Sequence, residues 1–268
     1  MVDFQPVTNL LTKSDIMANI HQFYLEHMAS KTGYRATWEP NRPLTIGAIV
    51  KLERGVFSIQ SNLEKEGIPM EVMDDTSEGV VDYSSSGAVK IGVKLAGQAP
   101  LAGSALTDVD AGFSLDFASD KSILFQADKT KTIQITNLGA IEREVVQRVN
   151  DGRWPKDWLI VTQLMQAASA TIIISFSSNS KIDLKASANV GTSQLKLTDA
   201  SLGLNVVSER GSHFKAIAAN GITPLYRVMG YRHPLFGHAQ LSTRGDEVKK
   251  DQFRLQPFDP AELQENSQ

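Results

Sequence analysis

The chain contains no cysteine. That excludes disulfide scaffolds, thiolate metal sites, cysteine nucleophiles and thioacyl anchors, and it favours a reducing compartment. It also lacks any run of about 18 apolar residues, the length that would read as a transmembrane helix. The longest aliphatic stretch, Ala170 to Phe176, is far too short. No basic-then-apolar leader marks a signal peptide. Neither sign of charge is in large excess: the net charge is −3 and the pI near 6.0, which argues against a dedicated nucleic-acid binder. Signature motifs are missing as well. There is no P-loop, no G-x-S-x-G elbow and no H-E-x-x-H. What is present suffices for a fold. With 41% apolar and 21% charged residues in 268 positions, a sizeable core is available and wholesale disorder is excluded.

The small negative charge is unevenly placed. Residues 246–268 hold six acids and three bases, so residues 1–245 hold 24 of each and sum to zero. The chain therefore divides into a neutral body, 1–245, and an acidic tail, 246–268. One reading of the tail is a solvated, frayed terminus. The other rests on Phe253, Leu255, Phe258 and Leu263, which are too apolar for a solvated segment and read as anchors laid against the body.

The body begins with a helix. Ser14 is its expected cap, Ile16, Met17, Ile20, Phe23, Tyr24 and Met28 recur at helical spacing, and Gly33 closes it. Leu44 to Leu52 reads as a buried strand, and Ile59 to Glu66 as a short helix stopped by Gly67. From Gly79 the period becomes two. Val81, Tyr83, Val89, Ile91, Val93 and Leu95 share one parity, and Asp82, Ser84, Lys90 and Lys94 the other. Past a turn at Gln98 to Gly103, Ala105, Val109, Ala111, Phe113, Leu115 and Phe117 alternate with Asp108, Asp110, Ser114 and Asp116. These segments predict two long two-faced strands joined as a hairpin. A helix over Ile141, Val145 and Val149 follows, with Asn137 as cap and Gly152 as stop. Trp158 to Ser175 is strongly β-forming, with a bend expected at Ala167 to Ala170. Ile182, Leu184, Ala186, Ala188 and Val190 alternate with Lys181, Asp183, Lys185, Ser187 and Asn189, opening a second hairpin. The alternation slips phase near Ala200, which predicts a bulge there. Strands at Phe214 to Ala219 and Leu225 to Tyr231 complete the body. With no linker or repeat in view, the expectation is a single α+β domain: a twisted antiparallel sheet with long amphipathic hairpins and peripheral helices.

Catalytic and metal chemistry find little support. Asp108-Val109-Asp110-Ala111-Gly112 faintly echoes a calcium loop, but it lacks the third oxygen ligand and sits inside an alternating strand. His21 and His27 face different sides of their helix, His233 and His238 flank Pro234, and His213 stands alone. Lys90, Lys94, Lys181, Lys185 and Lys196 are spread singly among acids, as on a solvated face. No cofactor, metal or nucleic-acid partner is expected.

The hairpins stand out by length. Gly79 to Gln98, fully extended, would reach roughly 65 Å at ~3.3 Å per residue, whereas a membrane-spanning strand needs only ~9–11 residues. A sheet with one buried and one wet face explains the alternation in a soluble protein. A barrel with apolar parity to lipid and polar parity to water explains it in a membrane. On the second reading the lipid-facing residues are Val89, Ile91, Val93, Phe113, Leu115, Phe117, Ile182 and Leu184.

The order of parts resembles the pore-forming domain of gasdermins, at the size of the bacterial type. The resemblance runs through "RPLTIGAIVKL" (42–52), the first hairpin region (79–127), "AIEREVVQRVNDGRWPKDWLIVTQL" (140–164), the second hairpin region (170–219) and "GITPLYRVMGYR" (221–232). It implies a non-enzymatic latent pore-former of bacterial antiphage defence, cytoplasmic at rest. An activating protease removes the short inhibitory tail. The body then forms a homo-oligomer, engages lipids and permeabilises the inner membrane. Arg244, Lys249 and Lys250 are the basic residues offered for cleavage. Bacterial members often carry a lipidated N-terminal cysteine. This chain has none, so its inhibition would work without an acyl group. The competing expectation is a soluble β-rich assembly subunit, as in a phage-tail-like particle.

Overall fold

The structure is a computed structural model, in which residues 13–38, 42, 44–53, 56–85, 87–187, 195–232 and 254–257 are described. Helix α1 (Lys13–Thr32) is followed by β1 (Arg35–Ala36), β2 (Ala48–Glu53), β3 (Val56–Asn62), β4 (Val72–Asp74), β5 (Gly79–Ser84), β6 (Val89–Lys94), β7 (Gly112–Phe117) and β8 (Ser122–Ile135). Helix α2 (Leu138–Asn150) leads to β9 (Leu159–Ser175), β10 (Ser180–Lys185), β11 (Asn205–Arg210), β12 (His213–Arg232) and β13 (Arg254–Pro257). Among the described residues these strands form a nine-stranded sheet along the path β1-β12-β9-β2-β3, with β4, β5, β8 and β13 attached, and a four-stranded sheet ordered β11-β10-β7-β6. The α+β, antiparallel class is the one the alternating sequence predicts.

The residues cluster into two compact units interleaved along the chain. The first takes described residues up to His27, then Tyr83–Phe125 and Thr171–Ile217; the second takes Met28–Asp82, Gln126–Ala170 and Ala218 onward.

In the second unit, β2 and β9 are apolar on both faces. Ala48, Val50, Leu159 and Val161 enter one cluster with Phe57 and Tyr226. Ile49 and Ile160, paired across the ladder, enter another with Ile141, Val145 and Trp154. Strands buried on both sides read as continuous apolar runs, which is why "AIV" and "LIV" do not alternate. Helix α2 ends as expected. Gly152 adopts φ +70°, its N–H donates to Val149 O, and the Arg153 N–H donates to Arg148 O, a Schellman pair. Asn137 occupies the cap position without a side-chain cap bond. Its carboxamide instead holds the 69–71 segment, accepting from Glu71 N at 2.9 Å and donating to Pro69 O at 3.2 Å.

The expected helix at Ile59 to Glu66 is instead strand β3, paired with β2, followed by a turn. Asn62 Oδ1 accepts from Lys65 N, and Gly67 closes the turn at φ +69°. The expected strands at 214–219 and 225–231 are one strand, β12, and β9 runs unbroken through 167–170. Helix α1 closes as expected at Gly33, whose N–H donates to Ala29 O, but Lys13 is already helical, so Ser14 lies within the helix rather than at its cap. Ile20, Tyr24 and Met28 are buried, and Phe23 meets the Phe176 ring edge-on at 5.9 Å.

In the first unit, the segment expected as one strand from Gly79 to Gln98 is two. Gly87 takes φ +68°, Ala88 N donates to Ser85 O, and the chain leaves β8, the partner of β5, to pair β6 with β7. The expected strand at 105–111 is a turn. Asp110 Oδ2 accepts from both Thr107 N and Thr107 Oγ1 at 2.7 Å, a local bond that competes with the ladder.

Candidate functional site: an amphipathic four-stranded sheet and a tail strand

Residues directly opposite in an antiparallel pair share a face. Ile91 lies opposite Leu115, Val93 opposite Phe113 and Val89 opposite Phe117. On the other side of β7, Leu115 lies opposite Ile182 and Phe113 opposite Leu184. All eight candidate membrane-facing residues therefore lie on one face of one sheet. There Phe113, Leu115, Phe117, Ile182 and Leu184 form the core of the first unit with Leu124, Ile173, Leu195 and Leu197, and Val89 packs against it. The inner strands β7 and β10 bury Phe113, Leu115, Phe117, Ile182 and Leu184 almost completely. The edge strands do not: Ile91 and Val93 on β6 are 40% and 46% exposed. On β11, Val206 and Val207 are also exposed. The phase slip expected near Ala200 falls at Val207, where the β10–β11 register shifts, and Ala200–Leu202 forms a short 3-10 helix.

The opposite face carries Lys90, Asp116 and Lys181 in one row and Ser114 with Asp183 in the next. The sequence predicts a solvated face here, and the structure corrects it: the connection 95–111 straps across. Lys94 is fully buried, its Nζ donating to the carbonyls of Asp110 at 2.8 Å and of Leu95 and Asp108 at 3.3 Å. An ammonium has three donors, and three carbonyls meet them, which offsets a burial that would otherwise cost several kcal/mol. Asp183, 1% exposed, accepts from Ser104 Oγ and Ala105 N, both at 2.8 Å. Lys185 Nζ meets Asp110 Oδ1 at 2.5 Å. Lys181 bridges Asp116 at 3.3 Å and donates to Ala102 O. Of the five lysines, Lys90, Lys185 and Lys196 are exposed. Gly112 is required for the close β7–β10 approach, since a Cβ there would clash with the Leu184 carbonyl.

The described histidines do not converge. His27 Nε2 hydrogen-bonds the Tyr83 hydroxyl, and His213 Nδ1 meets Glu209 at 3.1 Å while its ring packs on Phe117. His233 and His238 lie outside the described residues. Among the described residues no three His, Asp or Glu side chains group as a metal site, and no helix is long and apolar enough to cross a membrane.

The tail is placed at one strand. β13 pairs antiparallel with the end of β12: Arg254 lies opposite Arg232, Leu255 opposite Tyr231, Gln256 opposite Gly230 and Pro257 opposite Met229. Phe253, Phe258 and Leu263, the basic residues Arg244, Lys249 and Lys250, and the 245/246 boundary lie outside the described residues.

Sequence reasoning missed Lys94, Asp183 and Ser104 as a polar latch. An alternating pattern assigns a lysine to solvent, and no signal in "LAGQAPLAGSALTD" announces that its carbonyls fold back over the strand.

The class so defined is an antiparallel α+β protein with an amphipathic four-stranded sheet and a C-terminal strand added to its larger sheet. No protein-family model matches the chain, and no curated protein matches it. Among solved structures, its fold is similar to that of a bacterial gasdermin from Bradyrhizobium tropiciagri, at 15% identity over 79% of this chain and 87% of that one, with a TM-score of 0.35.

Proposed function

We propose that this chain is a latent pore-forming protein rather than an enzyme, released by proteolytic removal of its C-terminal tail. The observation that carries the reading is the shared face. Eight residues chosen as lipid-facing from parity alone lie together on one side of a four-stranded sheet, with a polar row behind them. Such a sheet can exchange its protein partner for lipid on the apolar side.

Length shows what activation must do. Each strand of this sheet has six residues, or roughly 20 Å, and a tilted membrane strand needs ~9–11. Strand β7 gains residues of the correct parity backwards, through Ala111, Val109 and Ala105, once the strap leaves the polar face. Strand β6 gains them through the turn at Ser85–Ala88. The tail strand β13 adds to β12 by backbone pairing, an intramolecular contact that cutting converts to a dilutable one. The active form is a homo-oligomer at the inner membrane, the latent form is cytoplasmic, and the role is cell death in antiphage defence.

The test is dye release. A specific protease site placed after Arg244 is cut in the presence of liposomes containing anionic lipid. Leakage that appears on cutting, with membrane-bound rings in electron micrographs, supports the reading. A cut protein that loses its tail, stays off lipid and assembles into soluble particles instead supports an assembly subunit.

A further inference from the structure

Strand β4, and β5 as far as Asp82, belong to the second unit. Among the described residues each of them pairs only with β8, so together they form an open edge of the larger sheet. On β4 the ladder fixes which backbone groups are free. Asp75 N donates to Thr132 O and Thr136 N donates to Glu71 O, so Glu71, Met73 and Asp75 turn their peptide groups toward β8. In an antiparallel pair the residues between them turn theirs away. Val72 and Asp74, opposite Ile135 and Ile133, therefore point N–H and C=O out of the edge.

Edges of this kind are commonly blunted by lysine or proline, and residues 71–84 hold neither. Every residue from 71 to 80 is exposed, including the apolar Val72, Met73 and Val80. The charge along the edge is of one sign, from Glu71, Asp74, Asp75, Glu78 and Asp82. Lys131 meets Glu78 at 3.4 Å, Asp75 accepts from Thr132 N at 2.9 Å, and Asp82 accepts from Gln126 Nε2 at 3.0 Å. The Glu71 and Asp74 carboxylates have no ion-pair partner among the described residues.

We infer that this edge takes up an extended basic segment of a separate polypeptide, which adds a strand to β4 and sets its lysines or arginines against these acids. Charge decides the occupant. A second copy would lay one acidic edge against another, and like charges across a strand pair are destabilising. An anionic lipid surface is repelled for the same reason. The longer segments of this chain outside the described residues, 1–12, 188–194, 233–253 and 258–268, carry side-chain charges of −1, 0, 0 and −3, so none of them is basic.

The experiment uses the full chain and a fluorescein-labelled peptide of four Lys-Val repeats, with a Glu-Val peptide of the same length as its charge-reversed twin. Anisotropy measures affinity, and hydrogen exchange followed by NMR reads single amides. The lysine peptide is expected to bind saturably and at least about tenfold more weakly in high than in low salt, and the glutamate peptide not to bind. Binding should slow exchange at the Val72 and Asp74 amides and leave the Met73 amide, which faces β8, unchanged. Val72→Pro deletes an outward donor at an edge, where proline is tolerated. It should keep the melting temperature and lose about tenfold in affinity. Glu71→Gln combined with Asp74→Asn leaves the backbone intact and should lose about fivefold, as for two exposed ion pairs. If Val72→Pro does not fold, the double variant decides alone. No binding of the lysine peptide, equal binding of the two peptides, binding without protection at Val72 and Asp74, or affinity unchanged in a folded variant would each overturn the assignment. Protection of the same two amides by self-association, with no peptide present, would overturn it in favour of a second copy. Pore formation enters none of these readouts, so the inference stands or falls independently of the proposed function.

Discussion

Lysine at position 91 separates the resting fold from an inserted one. Ile91 sits on the edge strand β6, 40% exposed, so replacing it forfeits only part of the ~1.5–3 kcal/mol that full burial of such a side chain provides. The loss is at most about 1–2 kcal/mol on that scale, and the lysine stem recovers some of it along the strand. For a domain this size that lowers the melting temperature by about 2–4 °C per kcal/mol. On the proposed pore-forming reading the same residue faces lipid in a bilayer, where a basic side chain near the midplane would cost ~2–4 kcal/mol in each subunit. A ring repeats that cost in every copy. Ile91→Lys is therefore expected to fold, to be cut normally and to release no dye. Leu115→Lys is a poorer probe, because Leu115 is fully buried between Ile91 and Ile182, and a charge there abolishes the resting fold. Thermal melting and circular dichroism establish folding, and calcein release after cutting measures the pore. A folded, tail-free Ile91→Lys protein that leaks at the wild-type rate refutes the assignment of this face to lipid.

The strap predicts that Asp183→Ala lowers unfolding stability by roughly 2–3 kcal/mol, since two bonds to a buried carboxylate are lost. The same change should speed hydrogen exchange at the Ala105 amide, and an unchanged denaturation midpoint contradicts it. Gly112→Ala should cost at least about 1–3 kcal/mol by forcing β7 from β10; normal stability would mean that the close approach to Leu184 is not real. In the tail, Leu255→Pro removes a strand donor and introduces a ring that strands tolerate poorly. It is expected to speed proteolysis of the 246–268 segment and to permit leakage without a designed cut. A tail still protected in that variant would show that β13 does not hold it.

The apolar face of the four-stranded sheet was legible because period-two alternation fixes parity, and parity survives errors in strand ends. Phe113, Leu115, Ile182 and Leu184 are on the face that their spacing assigns. Strand length was not legible. The break between β5 and β6 depends on a positive-φ glycine, Gly87, within a run whose parity continues through it. The continuity of β12 was hidden by Gly221 and Pro224, which read as punctuation yet lie within the strand. Ile59 to Glu66 read as helix because its partner β2, which makes it a strand, lies outside any local window. Lys94 was assigned to solvent because two of the three carbonyls that hold it come from Asp108 and Asp110, which its own neighbours cannot reveal. The acidic tail with apolar residues pointed to a segment with a partner, but only pairing geometry identifies that partner as β12.

The four-stranded sheet has an even number of strands, and that parity has a consequence for assembly. Strands β6, β7, β10 and β11 alternate in direction, so the two edges, β6 and β11, run opposite ways. A second copy brought alongside in the same orientation presents its β11 antiparallel to the first copy's β6. The joint between copies then has the same hydrogen-bonding sense as the joints within each copy. Three strands would have made that joint parallel. The contact is head-to-tail, leaves the same two edges free at the ends of any row, and ends only when the row closes on itself. Direction alone thus makes this sheet a unit that can be repeated around a circle without a seam.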